Sequence, residues 1–222
     1  MKGMILAAGY GTRLKPLTDN LPKALVNYKG RPMIEEQIEK LKVSGINSIC
    51  INAFHHKEKI QEYFEMRQND GTEITIITEN ILLGTGGGIL NAKKFFKEEE
   101  YFFTVNVDVD TDFDYRDIIE YHKKTKNFAT LLIQKRETSR YLLFDENLKF
   151  TRRAENSDNN KNCYAFNGIH IISSEIFNME FETEHCDIFD IYTNCVQKGK
   201  KIIGYICSGS KFKDIGKIEN LI

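Results

Sequence analysis

Two glycines and two cations near the amino terminus carry the clearest chemical signal in this sequence. Gly9 and Gly11 follow a short apolar run at residues 4–8, Arg13 comes next, and Lys23 follows ten residues later. Glycine lets the backbone approach a ligand closely and turn its N–H groups toward it. Arginine offers a fork of donors to phosphate oxygens, and lysine offers a compact charge. The pattern predicts a loop that binds a phosphate chain.

The two common nucleotide-binding loops do not fit this segment. A dinucleotide-binding fingerprint needs a third glycine where this chain has Leu14. A P-loop needs Gly-Lys-Ser or Gly-Lys-Thr at a helix start, and neither tripeptide occurs in the sequence. The alternative is a strand-to-turn junction with two surface cations.

Asp108, Asp110, Asp112 and Asp114 form an acidic run that has the spacing of the first ligands of a calcium loop. The run does not complete such a loop, because Phe113 stands where glycine is needed and Ile119 stands where the closing glutamate is needed. Asp112 or Asp114 is expected to cap a helix that begins near Tyr115 instead.

With these residues in place, the sequence resembles the sugar-1-phosphate nucleotidyltransferases, and especially their short single-domain branch. That branch includes mannose-1-phosphate guanylyltransferase-like and N-acetylmuramate-1-phosphate uridylyltransferase enzymes. The resemblance covers the whole chain and is carried, besides residues 6–14 and 22–25, by Leu83-Gly84-Thr85-Gly86-Gly87-Gly88, Val105-Asn106-Val107-Asp108, Ser139-Arg140-Tyr141-Leu142-Leu143-Phe144-Asp145, Phe166-Asn167-Gly168-Ile169-His170-Ile171 and Lys213-Asp214-Ile215-Gly216.

The resemblance implies the transfer of a nucleotidyl group from a nucleoside triphosphate to a sugar 1-phosphate, with release of pyrophosphate. It implies catalytic roles for Arg13 and Lys23, and a Mg²⁺ ion held by Asp108 and Asp214, each of which would by itself be a turn or cap residue. The implied nucleotide-binding residues are Leu6, Ala7, Ala8, Gly9, Gly11, Thr12, Arg13, Glu79, Gly84 and Thr85. The implied sugar-phosphate-binding residues are Asn106, Leu142, Glu155, Asn167 and Gly168, where Asn167 and Gly168 follow a strand.

The nucleotide base and the acceptor sugar are less well defined. Glu79 can accept hydrogen bonds from the N1–H and N2–H groups of guanine, which favours GTP with a mannose- or heptose-type 1-phosphate; the alternative is a glutamate at the surface end of a strand. Longer relatives carry a Glu-Lys pair where this chain has Glu155-Asn156. Arg140, Arg152 and Arg153 are the candidates to replace that lysine.

Two other functions stay open at this point. One is a UTP-dependent uridylyltransferase that acts on N-acetylmuramate 1-phosphate or a similar acceptor. The other is a non-catalytic relative that binds a nucleotide-sugar as a regulatory subunit. The presence of Arg13, Lys23, Asp108 and Asp214 favours an enzyme.

Short apolar runs alternate with amphipathic segments through the first 134 residues. This alternation predicts an α/β fold with a three-layer, Rossmann-like, mostly parallel sheet, as in the nucleotide-diphospho-sugar transferase fold. The predicted strands are Met4–Ala8, Ile49–Asn52, Ile74–Thr78, Phe102–Val107 and Ala129–Gln134, and the predicted helices are Met33–Val43, Lys57–Met66, Gly88–Phe96 and Tyr115–Lys124. The glycine loop and Asp108 both follow strands, so we expect them at one edge of the sheet.

The remaining residues predict a smaller mixed subregion that binds the acceptor. Its predicted strands are Tyr141–Phe144, Lys149–Arg152, Cys163–Ile172 and Ile202–Cys207, its predicted helix is Ile188–Val196, and polar residues 154–162 predict a loop. We expect a single domain over residues 1–222, with a nucleotide-binding part at 1–134 and a sugar-phosphate-binding part at 135–222.

The charge balance and the cysteine content limit the binding partners and the cellular compartment that the sequence predicts. Lysine and arginine number 31 against 32 aspartates and glutamates. This balance predicts neither nucleic acid nor a membrane surface as a partner and leaves the oligomeric state open. Five dispersed cysteines without C-x-x-C spacing predict reduced thiols in the cytoplasm.

Overall fold

The computed structural model describes residues 1–155, 162–181 and 185–221. The described strands are β1 (Gly3–Leu6), β2 (Asn27–Tyr28), β3 (Arg31–Pro32), β4 (Ser48–Ala53), β5 (Glu73–Thr78), β6 (Tyr101–Asn106), β7 (Val109–Thr111), β8 (Ala129–Gln134), β9 (Tyr141–Phe144), β10 (Phe150–Arg153), β11 (Cys163–Ser173), β12 (Ile202–Ile206) and β13 (Phe212–Asp214). The described α-helices are α1 (Met33–Val43), α2 (Lys57–Met66), α3 (Gly84–Asn91), α4 (Tyr115–Thr125) and α5 (Ile188–Gln197). Most of the predicted loop over 154–162 lies outside the described residues.

A nine-stranded mixed sheet forms the centre of the molecule. Its first-half strands run parallel in the order β5-β4-β1-β6. The long strand β11 then pairs antiparallel with β6 and connects this part of the sheet to β8 and β9. The pair β9–β10 and the parallel pair β8–β12 complete the sheet. Strands from both halves of the chain therefore share one sheet.

Helices cover both faces of this sheet, because alternate side chains of a strand point to opposite faces. In β1, Ile5 packs in a cluster that includes residues of α1 and α4, while Met4 and Leu6 pack in a second cluster with residues of α3 and α5. Burial of each such aliphatic side chain stabilises the fold by about 1.5–3 kcal/mol. The predicted three-layer, Rossmann-like α/β fold is confirmed.

The strand register brings the two expected site segments to one edge. Leu6 at the end of β1 pairs with Asn106 at the end of β6 in parallel register. The glycine loop leaves β1 at this edge, and the turn that contains Asp108 leaves β6 beside it. The strand pattern predicts this placement, and the structure shows it.

Several boundaries differ from the prediction. Helix α3 spans Gly84–Asn91 and not Gly88–Phe96, so the glycine-rich segment is itself helical. Strands β2, β3, β7 and β13 were not predicted, because two or three residues are too few to show an alternating pattern. Within the described ranges, every helix falls short of the length and apolar character that a membrane span requires.

Candidate active site

The loop that follows β1 is held in shape by its own side chains. Gly11 has a φ of +66°, and a Cβ at this position would lie 2.8 Å from the Thr18 side chain, so glycine is required here. The Thr18 hydroxyl donates a 2.8 Å hydrogen bond to the Gly11 carbonyl. A Cβ at Gly9, by contrast, would meet no atom within 4 Å. The loop is thus fixed at Gly11 and open at Gly9, where a ligand can approach the backbone.

Two short 3₁₀ turns on this loop present the predicted cations. One turn, Thr12–Leu14, buries Leu14 and leaves the Arg13 side chain about half exposed (48%). The other, Lys23–Leu25, buries Ala24 and directs Lys23 toward Asp108. Because one apolar residue in each turn is fully buried, the neighbouring cation is directed toward a carboxylate: Arg13 toward Asp214 and Lys23 toward Asp108.

The short antiparallel pair β7–β13 brings together the two candidate metal ligands, Asp108 and Asp214, which lie 106 positions apart in the sequence. Strand β13 pairs with β7 so that Asp214 lies opposite Val109, and the Ile215 N–H donates to the Asp108 carbonyl at 2.9 Å. Gln37 of α1 also holds the β7 backbone, because its Nε2 donates a hydrogen bond to the Val109 carbonyl at 2.5 Å. Asp108 and Asp214 therefore converge, as the resemblance implies.

The four predicted catalytic and metal-binding residues form one ion-pair network. Lys23 Nζ lies 3.0 Å from Asp108 Oδ2, and Arg13 lies 2.7 Å from Asp214 and 3.6 Å from Asp108. Burial alone would raise the pKa of Asp108, but the charges of Lys23 and Arg13 hold it below its ordinary value. Asp108 is therefore an anion at neutral pH although it is only 8% exposed.

Gly216 leaves the space in which the two carboxylates meet. A Cβ at this position would lie 2.2 Å from Asp108 Oδ2, 2.9 Å from Arg13 and 3.0 Å from Asp214 Oδ1. The Gly216 N–H donates to Asp214 Oδ1 at 3.0 Å. Any side chain here would displace the carboxylates, so the glycine is a requirement of the site.

The glycine cluster of α3 packs mainly against protein. A Cβ at Gly84 would lie 2.6 Å from the Cys186 carbonyl, and one at Gly88 would lie 2.7 Å from Asn52 Nδ2. The N–H groups of Gly86 and Gly87 donate to the same Cys186 carbonyl. Gly84 thus serves close helix packing, and its approach to the nucleotide stays a prediction. The neighbouring Thr85 lines the cleft.

Glu79 is not the surface glutamate that was its alternative assignment, because it is only 2% exposed. Its Oε1 accepts from Asn52 Nδ2 at 2.7 Å, and its Oε2 accepts from the Leu83 N–H at 3.0 Å. Asn52 Oδ1 in turn accepts from the Ala7 N–H at 2.8 Å. This chain of hydrogen bonds couples the end of β1 to the start of α3.

The predicted sugar-phosphate-binding residues Asn167 and Gly168 lie on an irregular strand. Asn167 and Gly168 were expected after a strand, but they lie within β11, where its register with β8 shifts between Phe166 and His170. Gly168 has a φ of +72°, and a Cβ there would lie 2.9 Å from Asn106 Nδ2. The distortion sets both residues beside Asn106 in the cleft.

One cleft of about 560 Å³ is lined by half of the predicted site residues. Such a volume suits a substrate of nucleotide-sugar size. The predicted residues that line it are Leu6, Arg13, Thr85, Asn106, Asp108, Leu142, Asn167, Gly168 and Asp214. Ala7, Ala8, Gly9, Gly11 and Thr12 lie on the loop after β1. Glu155 lies outside this lining; it is exposed, with its carboxylate 3.8 Å from Arg152.

Two residues of the site were missed. Asn52 is a buried polar residue at the end of an apolar strand, a signal that was available in the sequence. Arg136 lies two residues after β8 and lines the cleft, where it donates to Asn167 Oδ1 at 3.1 Å. Its position beyond the end of β8 gave no comparable signal. Of the three candidates for the missing lysine, Arg140 and Arg153 line the cleft.

Comparison with known proteins identifies the family. Residues 2–222 match the sequence profile described as Nucleotidyl transferase. A mannose-1-phosphate guanyltransferase of Gibberella zeae is 38% identical over 145 residues, which cover 64% of this chain and 40% of that protein. A mannose-1-phosphate guanylyltransferase catalytic subunit beta of Dictyostelium discoideum is 33% identical over 178 residues, covering 75% of this chain and 50% of that protein.

The fold of a solved relative agrees with this assignment. The crystal structure of HddC from Yersinia pseudotuberculosis complexed with GMP-PN superposes with a TM-score of 0.80 at 23% identity, covering 99% of this chain and 96% of that one. This chain spans about half or less of the length of the two guanyltransferases. Because the profile match covers nearly every residue, the chain belongs to the nucleotidyl transferase family.

Proposed function

We propose that this member of the nucleotidyl transferase family joins a nucleoside triphosphate to a sugar 1-phosphate, giving a nucleotide-sugar and pyrophosphate. The observation that carries the proposal is one ion-pair network of two cations and two carboxylates. Arg13 pairs with Asp108 and Asp214, and Lys23 pairs with Asp108, each at 3.6 Å or less. The regulatory-subunit alternative would permit the loss of any of these four side chains.

In this reaction an oxygen of the sugar phosphate attacks the α-phosphorus of the triphosphate. A new P–O bond forms as the bond to the leaving pyrophosphate breaks, and no covalent bond to the protein is needed. Lys23 is placed to hold the α-phosphate and the attacking phosphate together, although both are anions. Arg13 is placed to neutralise the β- and γ-phosphates and the departing pyrophosphate. Catalysis then rests on positioning and charge stabilisation.

The carboxylates fit a Mg²⁺ ion, which takes one or two protein carboxylates together with phosphate oxygens and water. Asp108 Oδ2 and Asp214 Oδ1 both flank the space beside Gly216, as the short distances from its hypothetical Cβ show. Among the described residues no cluster of three or more potential metal ligands occurs, so these two carboxylates would share the ion with substrate oxygens. When bound, Mg²⁺ supplies neutralisation of charge on the transferring phosphate.

We infer that the base is guanine and that the acceptor is a mannose- or heptose-type 1-phosphate. The names of the relatives at 33–38% identity support this choice. The contact between Glu79 and guanine stays a prediction, since Glu79 is 2% exposed, lies outside the cleft lining and accepts one hydrogen bond from the protein on each oxygen. The UTP-dependent alternative with an N-acetylmuramate-type acceptor is the second candidate, since backbone groups near Thr85 can read uracil without a carboxylate.

A pyrophosphate-release assay tests the proposal. The protein is incubated with Mg²⁺ and with each pairing of GTP, UTP, ATP, CTP or dTTP with mannose, glucose or N-acetylmuramate 1-phosphate. We expect turnover with a sugar 1-phosphate, and we expect the highest kcat/KM with GTP as the triphosphate. A preference for UTP would establish the second candidate. Tight binding of GDP-mannose without turnover of any pair would instead establish a regulatory subunit.

A further inference from the structure

Arg136 is a partly buried cation that lines the cleft between Asn167 and Phe212. It follows β8, and its guanidinium lies 4.0 Å from the centre of the Phe212 ring on β13. Its Nε donates to Asn167 Oδ1 at 3.1 Å, and its Nη2 donates to the Phe166 carbonyl at 2.8 Å. The strand β11 and the aromatic ring therefore fix the plane of the guanidinium.

The hydrogen bonds of Arg136 go to neutral oxygens. A third one, longer at 3.4 Å, runs from Nη1 to the Glu137 carbonyl. An arginine side chain has five N–H donors, so two, one on each terminal nitrogen, point to no acceptor among the described residues. Burial lowers the pKa of Arg136, and the charge of Asp214 offsets part of that effect. A partly desolvated guanidinium with an unused pair of donors is suited to a bidentate anion.

The other candidate arginines are engaged differently. Arg153 pairs with Asp187, and Arg152 lies 3.8 Å from Glu155. Arg140 is exposed at the mouth of the cleft, without the ring and carbonyl contacts that fix Arg136. Arg136, by contrast, donates to Asn167 and is affected by the charge of Asp214.

We propose that Arg136 binds the phosphate of the acceptor sugar 1-phosphate and so replaces the lysine that many longer relatives carry where this chain has Asn156. This inference rests on the proposed function. The reacting phosphate must lie between the sugar, which Asn167 is expected to contact, and the metal carboxylate Asp214. Arg136 donates to Asn167 and lies near enough to Asp214 for that charge to act on it, so its two unused donors are available to two oxygens of this phosphate group.

The test compares Arg136→Gln and Arg136→Lys with the wild-type protein, using GTP and the sugar 1-phosphate that the wild type turns over best. Lys135→Gln is the matched control: this neighbouring cation lies outside the cleft lining and donates to the Cys163 carbonyl. We expect the KM for the sugar 1-phosphate to rise roughly 10- to 100-fold in Arg136→Gln, the range for a lost charge-assisted contact. The KM of Arg136→Lys should lie between those of the wild type and Arg136→Gln, and the KM of Lys135→Gln should match that of the wild type.

Two further readouts separate the possible outcomes. The KM for GTP should change less than about 3-fold in Arg136→Gln, and so should inhibition by the free sugar, which has no phosphate. An unchanged KM for the sugar 1-phosphate overturns the inference and leaves the proposed function intact. An equal rise for free sugar and sugar phosphate also overturns it, because Arg136 then acts only by positioning Asn167. No wild-type turnover with any pair overturns the proposed function itself.

Discussion

Replacing Lys23 with methionine should slow nucleotidyl transfer by two to three orders of magnitude. Methionine retains an unbranched stem, so the substitution removes the charge with little change in packing against Gly11, whose hypothetical Cβ lies 3.2 Å from that of Lys23. A single positioned donor that stabilises charge in the transition state typically contributes a factor of about 10²–10³ in rate. Lys23 is 15% exposed, so water would not readily replace its charge.

The same change should also destabilise the fold, but modestly. At 3.0 Å, Lys23 and Asp108 attract each other by about 5–6 kcal/mol at an effective dielectric constant near 20. Desolvation offsets much of this energy, and Arg13 still lies 3.6 Å from the carboxylate after the substitution. We therefore expect a loss of about 1–3 kcal/mol, which lowers Tm by roughly 3–10 °C in a domain of this size.

The pH dependence gives an independent check of the cause. The pKa of Asp108 is lowered in the folded protein, so its stabilising effect is present above its unfolded pKa of about 3.9 and is lost as the pH falls through its folded pKa. Removal of Lys23 weakens this effect. The difference in the free energy of unfolding between the wild type and Lys23→Met should therefore be largest near pH 7 and should shrink as the pH drops below about 4.

The assay combines pyrophosphate release with thermal unfolding, and Lys15→Met is the matched control. Lys15 lies on the same loop, is 62% exposed, and pairs with Asp19 at 3.3 Å. The control should keep near wild-type kcat and Tm. A folded Lys23→Met protein with kcat/KM within a few-fold of the wild type would refute the role assigned to Lys23.

Further predictions follow from the same site and core. Asp108→Asn and Asp214→Asn should each abolish Mg²⁺-dependent turnover, and calorimetry in the presence of GTP should show weakened Mg²⁺ binding; unchanged affinity in both would refute the metal assignment. Glu79→Gln should lower kcat/KM for GTP by the equivalent of about 1–3 kcal/mol, and for UTP by less, whereas steady-state kinetics with equal losses would refute the guanine contact. Burial lowers the pKa of His170 to about 3, so the unfolded chain takes up a proton below about pH 6.5 that the folded imidazole does not. Tm should accordingly fall from pH 6.5 toward pH 4, and less steeply in His170→Gln.

The sequence sufficed to predict the sheet and the edge at which the site lies. Strands β1 and β6 are apolar and long enough to be identified by composition, and in a parallel arrangement their carboxyl ends lie at the same edge of the sheet. The approach of Asp214 to Asp108 could not be derived in this way. It depends on β7 and β13, which have three residues each and show no periodicity, so only the family resemblance placed Asp214 in the site.

The glycine cluster shows a second limit of sequence reasoning. A run of glycines has the same appearance whether the close approach is made by a ligand or by another part of the protein. In this chain the Cys186 carbonyl occupies the position next to Gly84, and Asn52 occupies the one next to Gly88. Both neighbours come from distant segments, and local spacing carries no information about them.

In the proposed reaction, the ion pairs of the structure and the binding of substrates compete for the same four side chains. Asp108 is almost fully buried, and a buried carboxylate without a partner would cost several kcal/mol. Lys23 and Arg13 remove that cost by pairing with the carboxylates. A triphosphate offers these cations other anions, and Mg²⁺ offers the carboxylates another cation. The triphosphate draws Lys23 and Arg13 away from the carboxylates, and Mg²⁺ supplies positive charge to the carboxylates in their place. The triphosphate and the metal should therefore bind together more tightly than either binds alone.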